Sequence, residues 1–386
     1  MTVPGFHALG AGTLVHWTRQ LARIPSEQTA LMEGDPAIAA FIEKGVAPLL
    51  ADAPVTLRRD GMGNLIAEAG PEGAPALAFF AYAMTHPRST MRDAFAGELL
   101  GEGEAAEIRG RGVAEQKAAL VASLAAFLDL ARSGTLRRRL AWCLLTAGET
   151  GRHDAIAATM AALGAPPEQG IVALGTGGRI SLGNRGRLDL LMTIKGVACH
   201  SSTPWLGVDA TRGVRLALEK AEAIGATLGR DPLLGPATLT CTAIRTAPDA
   251  THTLQAEARL TFDRRLLPGE DPEAVLAGLR EALALPPPLG MVLERGPYMH
   301  GCRIAGDAPL VRLIEHAMEA EGLPPPGTYH SNGALDAGYL AHLGIAGVMW
   351  GPGDPDMFHT DEERVRVPDL INAARAYRAV GARLAA

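Results

Sequence analysis

Two wholly apolar runs joined by one helical stretch set the strongest limit on what this chain folds into. ALAFFAY (76–82) and LAWCLLTAG (140–148) are too short for helices and show no alternation, so each reads as a strand covered on both faces. Between them QKAALVASLAAFLDLARSG (116–134) repeats apolar residues at helical spacing and stops at Gly134. A strand, a crossover helix and a second strand make a right-handed unit with parallel strands. The strand ends near Tyr82 and Gly148 then open on the edge where such sheets bind ligands. Aromatic residues make up only 4% of the chain while glycines number 45, a composition that suits close helix–sheet packing.

Beyond Arg185 the pattern changes. LDLLMTIKG (188–196) alternates, residues 209–229 read as a helix, and ATLTCTAIR (237–245) and TLQAEARLTFDRR (253–265) read as half-buried strands. A second helix over 271–283 starts at an Asp cap. This β-α-β-β-α order predicts a small α+β, ferredoxin-like domain, with the prolines at 286–288 as its exit. Helices near 308–321, 333–342 and 367–385 and a strand at 347–350 resume the first pattern. The expected architecture is therefore an α/β main domain, residues 1–184 plus 297–386, interrupted by an inserted domain, 185–296. The main domain is expected to be hydrolase-like (phosphorylase/hydrolase-like), a mostly parallel sheet flanked by helices.

Several classes are disfavoured. A net charge of −6 argues against a protein that tracks nucleic-acid phosphates. No uncharged apolar stretch of about 18 residues exists to span a membrane. The N-terminus lacks the pattern of an export signal, so a cytoplasmic protein is expected. Cys143, Cys199, Cys241 and Cys302 are scattered, without a C-x-x-C pair, which argues for reduced thiols. There is no Walker-type G-x-x-x-x-G-K, no G-x-S-x-G elbow and no H-E-x-x-H helix. The run Gly175 to Ile180 lacks the third glycine of a dinucleotide turn.

Five motifs remain, in order. RGRGVAEQK (109–117) places Glu115 just ahead of the long helix, and Gly148-Glu149-Thr150-Gly151 ends the second buried strand. CHSSTP (199–204) and DRRLLPGE (263–270) lie in the inserted domain. Gly351-Pro352-Gly353 and FHTDE (358–362) lie near the C-terminus. Their order and spacing resemble the acetylornithine deacetylase, carboxypeptidase G and aminoacylase family of co-catalytic zinc metallopeptidases, over nearly the whole chain. The resemblance implies that Glu115 stands where the family has an aspartate bridging two metals, one methylene longer. It makes Glu149 and His359 ligands of the second metal, and Glu149 a catalytic residue as well. It makes His200 an oxyanion-stabilising histidine on the lid, and Arg265 a holder of a substrate carboxylate. His252, in place of a substrate-binding Asn, and Gly353 join Arg265 as substrate-binding candidates. The inserted domain is implied to be the lid through which a homodimer forms.

The departures from that pattern are specific. The first metal's histidine and aspartate fall on Tyr82 and Met84, its acidic ligand on Leu174, and the general-base glutamate on Gly148. A neutral phenol is a poor ligand, an isobutyl group is none, and glycine carries no proton. One metal position is thus expected to be lost while Glu115, Glu149 and His359 keep the other, with Tyr82 a candidate fourth ligand. His86 and His153 are candidate replacement bases. The bulkier, less polar side chains of Tyr82 and Met84 predict a substrate flatter or more apolar than a peptide.

Two readings follow. One is a hydrolase of an amide-type C–N bond in a small, carboxylate-bearing substrate, using at most one divalent ion, Zn or Mn. The other is an inactive or metal-free homologue serving as a small-molecule binding or regulatory protein. A metal-free acid–base enzyme built on Glu149 and an extra histidine stands beside these.

Overall fold

A computed structural model describes residues 10–148 and 151–386, and the chain divides into two compact units. The first comprises the chain up to Gly183 with Ile304–Tyr329 and Tyr339–Ala386; the second comprises Asn184–Arg303 and His330–Gly338.

In the first unit the strand Leu77–Tyr82 lies parallel to Leu140–Leu145 on one side and to Gln169–Ala173 on the other. Leu65–Ala69 extends the sheet in the antiparallel sense beyond Leu140–Leu145, and Ala346–Trp350 runs parallel beside Gln169–Ala173. Every residue of Leu77–Tyr82 and of Leu140–Leu145 is buried, as their unbroken apolar runs require. The helix Ala118–Ser133 ends at Gly134, whose φ of +69° suits glycine. Its fully buried Ala118, Ala119 and Ala122 let it sit close to its neighbours.

The helix Val367–Ala385 packs against that helix and contributes Tyr377. The Tyr377 ring meets Phe79 edge-on at 5.5 Å and Trp350 at 5.0 Å, while its hydroxyl donates to the Trp350 carbonyl. Trp142 donates its indole N–H to Ser123 Oγ at 3.0 Å, so its one polar atom is satisfied inside the core. Each such aromatic contributes about 1.5–3 kcal/mol by leaving water. These contacts make the floor from which the strand ends project.

The second unit is an antiparallel sheet of Gly186–Lys195, Thr238–Ala247, Glu257–Leu266 and Gly290–Met299. Taken in chain order, these strands lie second, third, first, fourth across the sheet. With the helices Ala210–Gly225 and Pro272–Ala282 this is ferredoxin-like topology. Leu188, Leu190, Met192 and Ile194 alternate into its core with Ala258, Leu260 and Phe262. Asp209 and Asp271 cap the two helices by accepting the N–H groups of Thr211 and Glu273.

The prolines at 286–288 do not end this sheet, contrary to the sequence expectation. Gly290–Met299 follows them and pairs with Gly186–Lys195. Its register shifts between Arg295 and Tyr298, where Gly296 and Pro297 interrupt the alternation that would have marked it as a strand. All four cysteines are unpaired. Among the described residues no helix is long and apolar enough to cross a membrane.

Candidate active site

Glu115 enters the site on an unusually wide first turn, Val113–Lys117. Its hydrogen bonds reach back five residues, from Lys117 N–H to the Gly112 carbonyl at 2.7 Å. Such widened turns recur at functional positions. The Glu115 side chain is 5% exposed, and its Oε1 lies 3.2 Å from His359 Nε2. Its Oε2 is buried and accepts no hydrogen bond. An orphaned carboxylate oxygen costs free energy unless a proton or cation meets it.

His359 stands at a φ of +61°, in the left-handed region that non-glycine residues avoid. The His86 ring stacks on it, with centroids 3.7 Å apart and planes 17° from parallel. His86 Nδ1 lies 3.0 Å from the Pro87 carbonyl, which only accepts, so that nitrogen carries the proton and Nε2 the lone pair. Burial, and next the neighbouring His359, hold the His86 imidazole below the ordinary histidine value. Near-parallel stacked rings hold their lone pairs in separate planes, so His86 and His359 do not aim at one point. His86 therefore stands beside His359 rather than converging with it on one ligand point.

A buried residue outside the motifs assembles this half of the site. Glu363 is 1% exposed and accepts from Gly112 N–H at 2.8 Å, Ala114 N–H at 3.1 Å and Glu115 N–H at 3.2 Å. It also pairs with the fully buried Arg111 guanidinium at 3.0 Å. Burial raises the Glu363 carboxyl above the usual carboxylate range, and the Gly112 and Glu115 amides pull against it. The only sequence trace of this residue is an acid just beyond FHTDE.

The departures of the first metal position take a definite form. A Cβ built on Gly148 would lie 2.2 Å from Tyr82 Cε1, so the phenol ring fills the volume a side chain at 148 would need. Tyr82 is 2% exposed and Met84 fully buried, the latter within the main core. Neither side chain presents surface, so the bulk of both fills the interior. Leu174 is likewise buried and offers no donor side chain. These residues do not fit a second ion.

The orphaned Glu115 oxygen beside His359 does fit one. Among the described residues no group of three metal-binding side chains converges, and Glu149, assigned to the same ion, lies outside the described residues. Gly353 has a packing reason to be glycine, since a Cβ there would lie 1.7 Å from the Ala114 carbonyl oxygen. His153 is 7% exposed and its ring faces Tyr339 at 5.2 Å, so it is not a solvent-facing loop histidine.

On the second unit His200 is exposed, and its Nδ1 accepts the Ser202 N–H at 3.2 Å and lies 2.8 Å from Ser202 Oγ. With Nδ1 accepting, the neutral ring carries its proton on Nε2 and presents an N–H donor. His252 is also exposed and runs nearly parallel, with ring centroids 6.4 Å apart. Arg265 is already engaged: Nε and Nη2 donate to the two oxygens of Asp263 at 2.8 and 3.0 Å. Asp263 also lies 3.6 Å from Arg187, which pairs bidentately with Asp189.

Sequence and structure comparisons agree with this fold. The model of peptidase family M20/M25/M40 matches residues 94–382, and the chain belongs to that family. It is thus an amidohydrolase of the metallopeptidase type, a class typically dependent on divalent metals. A Pyrobaculum aerophilum protein named "Putative LysW-lysine/LysW-ornithine hydrolase" is 28% identical over 322 residues, covering 83% of this chain and 84% of that protein. A succinyl-diaminopimelate desuccinylase of Hydrogenovibrio crunogenus is 26% identical over 205 residues, 52% of this chain and 53% of that one. The M20 family metallo-carboxypeptidase of Sulfolobus solfataricus superposes with a TM-score of 0.75 at 17% identity, covering 96% of this chain and 98% of that one.

Proposed function

We propose that the chain hydrolyses an amide-type C–N bond in a small, carboxylate-bearing substrate, with at most one divalent ion, Zn or Mn, held by Glu115, Glu149 and His359. The observation that carries this reading is the buried, unpartnered Oε2 of Glu115 beside His359 Nε2. Bound there, the ion supplies a Lewis acid and a more acidic water.

The chain's own residues supply the rest. His86 offers Nε2 as the proton acceptor in place of the glutamate lost at Gly148. His153, packed against Tyr339, is the weaker candidate for that role. Tyr82 belongs to the wall over Gly148 more than to the ligand set. His200 offers Nε2–H to a developing oxyanion, while Arg265, with His252 beside His200, holds the carboxylate end of the substrate. Gly353 contributes through its backbone. A homodimer through the inserted unit is part of the same reading, supported by exposed Leu191, Ile244 and Val292 on that unit's sheet.

The competing reading, a metal-free or inactive homologue that binds small molecules, is favoured by the loss of donors at Tyr82, Met84, Leu174 and Gly148. Metal analysis of protein purified without chelator separates the two. About one equivalent of Zn or Mn is expected, lost in both Glu149→Ala and His359→Ala. Clean absence after metal supplementation removes the first reading, and an ion retained by either variant breaks the ligand assignment.

A further inference from the structure

We infer that Glu363 is a positioning residue: one buried carboxylate sets the approach of Glu115 to His359, and with it the ion affinity assigned to that pair. The inference rests on the reading above for its metal readout alone.

Arg364–Arg366 pairs antiparallel with Glu107–Arg109, Val365 opposite Ile108, and this brings Glu363 alongside Gly110, whose N–H donates to the Glu363 carbonyl at 3.1 Å. From there the side chain turns under the first turn of the helix. Oε2 accepts from Gly112 N–H and Arg111 Nη1, and Oε1 accepts from Ala114 and Glu115 N–H. The first N–H groups of a helix have no partner within it, and an ionised carboxylate is the strongest acceptor a side chain offers them.

The same residue closes the loop that bears His359. Between the two, Asp361 accepts from Arg109 Nη2 through its carbonyl at 3.1 Å and from Thr90 Oγ1 through Oδ2 at 2.7 Å. His359 takes its left-handed conformation in a segment that Asp361 and Glu363 anchor just beyond it. Glu115 and His359 therefore meet because a third side chain anchors the backbone of one and the loop of the other. Nothing in Glu363 faces the substrate.

Replacement by glutamine puts an NH₂ group against either the Ala114 and Glu115 amides or Gly112 and Arg111, donor against donor. The test compares wild type, Glu363→Gln, Glu363→Asp and Arg111→Met as full-length protein. It measures Mn affinity by chelator competition, amide exchange at Gly112 and Glu115, melting temperature, and kcat and KM where turnover is found. Glu363→Gln is expected to weaken Mn binding about 10–100-fold, as for other groups that orient metal ligands. It also lowers kcat with KM unchanged and accelerates exchange at both amides by tenfold or more. Arg111→Met keeps the carboxylate–amide bonds, so it lowers the melting temperature while Mn affinity stays within about threefold. Should the glutamine variant fail to fold, Glu363→Asp, whose shorter carboxylate reaches only part of the amide set, is expected to weaken Mn binding by up to about tenfold and to accelerate exchange at one or both amides.

Wild-type affinity and wild-type amide protection in Glu363→Gln would overturn the inference. Affinity falling in step with melting temperature in Glu363→Gln and Arg111→Met alike would overturn it too. If wild type takes up neither Mn nor Zn, the parent reading fails, and amide exchange at Gly112 and Glu115 alone decides whether Glu363 positions the turn.

Discussion

Adding one methyl group at Gly148 tests how the Tyr82 ring packs over it. A Cβ there would sit 2.2 Å from Tyr82 Cε1 and 2.4 Å from Cδ1, well inside van der Waals contact. Tyr82 cannot swing aside freely, because it is 2% exposed at the end of a strand buried along its whole length. Gly148→Ala therefore forces a buried ring off its rotamer, a change of the kind that costs about 1–3 kcal/mol. In a unit of this size that lowers the melting temperature by about 2–4 °C per kcal/mol. Tyr82→Ala alone leaves a cavity and costs about 3–5 kcal/mol. In the double variant the new methyl enters the space the ring vacated, so its own cost disappears. The coupling between the two sites is then about 1–3 kcal/mol in favour of the double variant. Thermal melts of the four proteins under one buffer give this number directly. A neutral Gly148→Ala, or two effects that simply add, would show that the ring does not occupy the space at 148.

Lys117 makes a pH prediction. Burial pulls its ammonium down from 10.5 to about 7, while its Nζ keeps the Ile24 carbonyl at 3.1 Å and lies over the Phe41 ring. Between those two values the unfolded chain binds a proton that the folded chain lacks. Rising pH then favours the fold, by up to about 1.4 kcal/mol per pH unit. Urea melts at pH 7.5, 8.5 and 9.5 should show that rise in wild type and not in Lys117→Met, and equal slopes would refute it. Once a substrate is in hand, His200→Asn should lower kcat about 10²–10³-fold with KM nearly unchanged. Arg265→Met should instead raise KM for carboxylate-bearing substrates; a shared effect on both constants in steady-state kinetics would contradict the separate roles.

The parts of this fold legible in the sequence are those whose burial is continuous or strictly periodic. Leu77–Tyr82 and Leu140–Leu145 read as strands because nothing polar interrupts them, and both are buried throughout. Gly290–Met299 stayed hidden because Gly296 and Pro297 break its alternation at the point where its register shifts. At the site, Glu115 and His359 were legible as residue types in ordered motifs, and the structure brings them together. Glu363 was not, because its work is done on backbone amides, which leave no side-chain signature in a sequence. Tyr82 and Met84 show the same limit. Size at Tyr82 and Met84 was readable, but the side to which each points was decided by the empty volume at Gly148 and by the core around Met84.

The interior around Tyr82 and the one around Glu115 are built from different kinds of interaction. Around Tyr82 the side chains are core: Met84 and Leu174 bury apolar surface, and Tyr82 fills the hole over Gly148. No single reversion undoes this, because a glutamate at 148 meets the phenol ring, and a histidine at 82 leaves unfilled volume above a glycine. Around Glu115 the arrangement runs against packing economy. A carboxylate oxygen of Glu115 stays buried without a partner, His359 keeps a left-handed backbone, and Glu363 with Arg111 places a charged pair at 1% and 0% exposure. Each of those features costs stability on its own. None of them is what apolar packing alone would select. Their joint presence around one unpartnered oxygen is the physical reason to place the chemistry there.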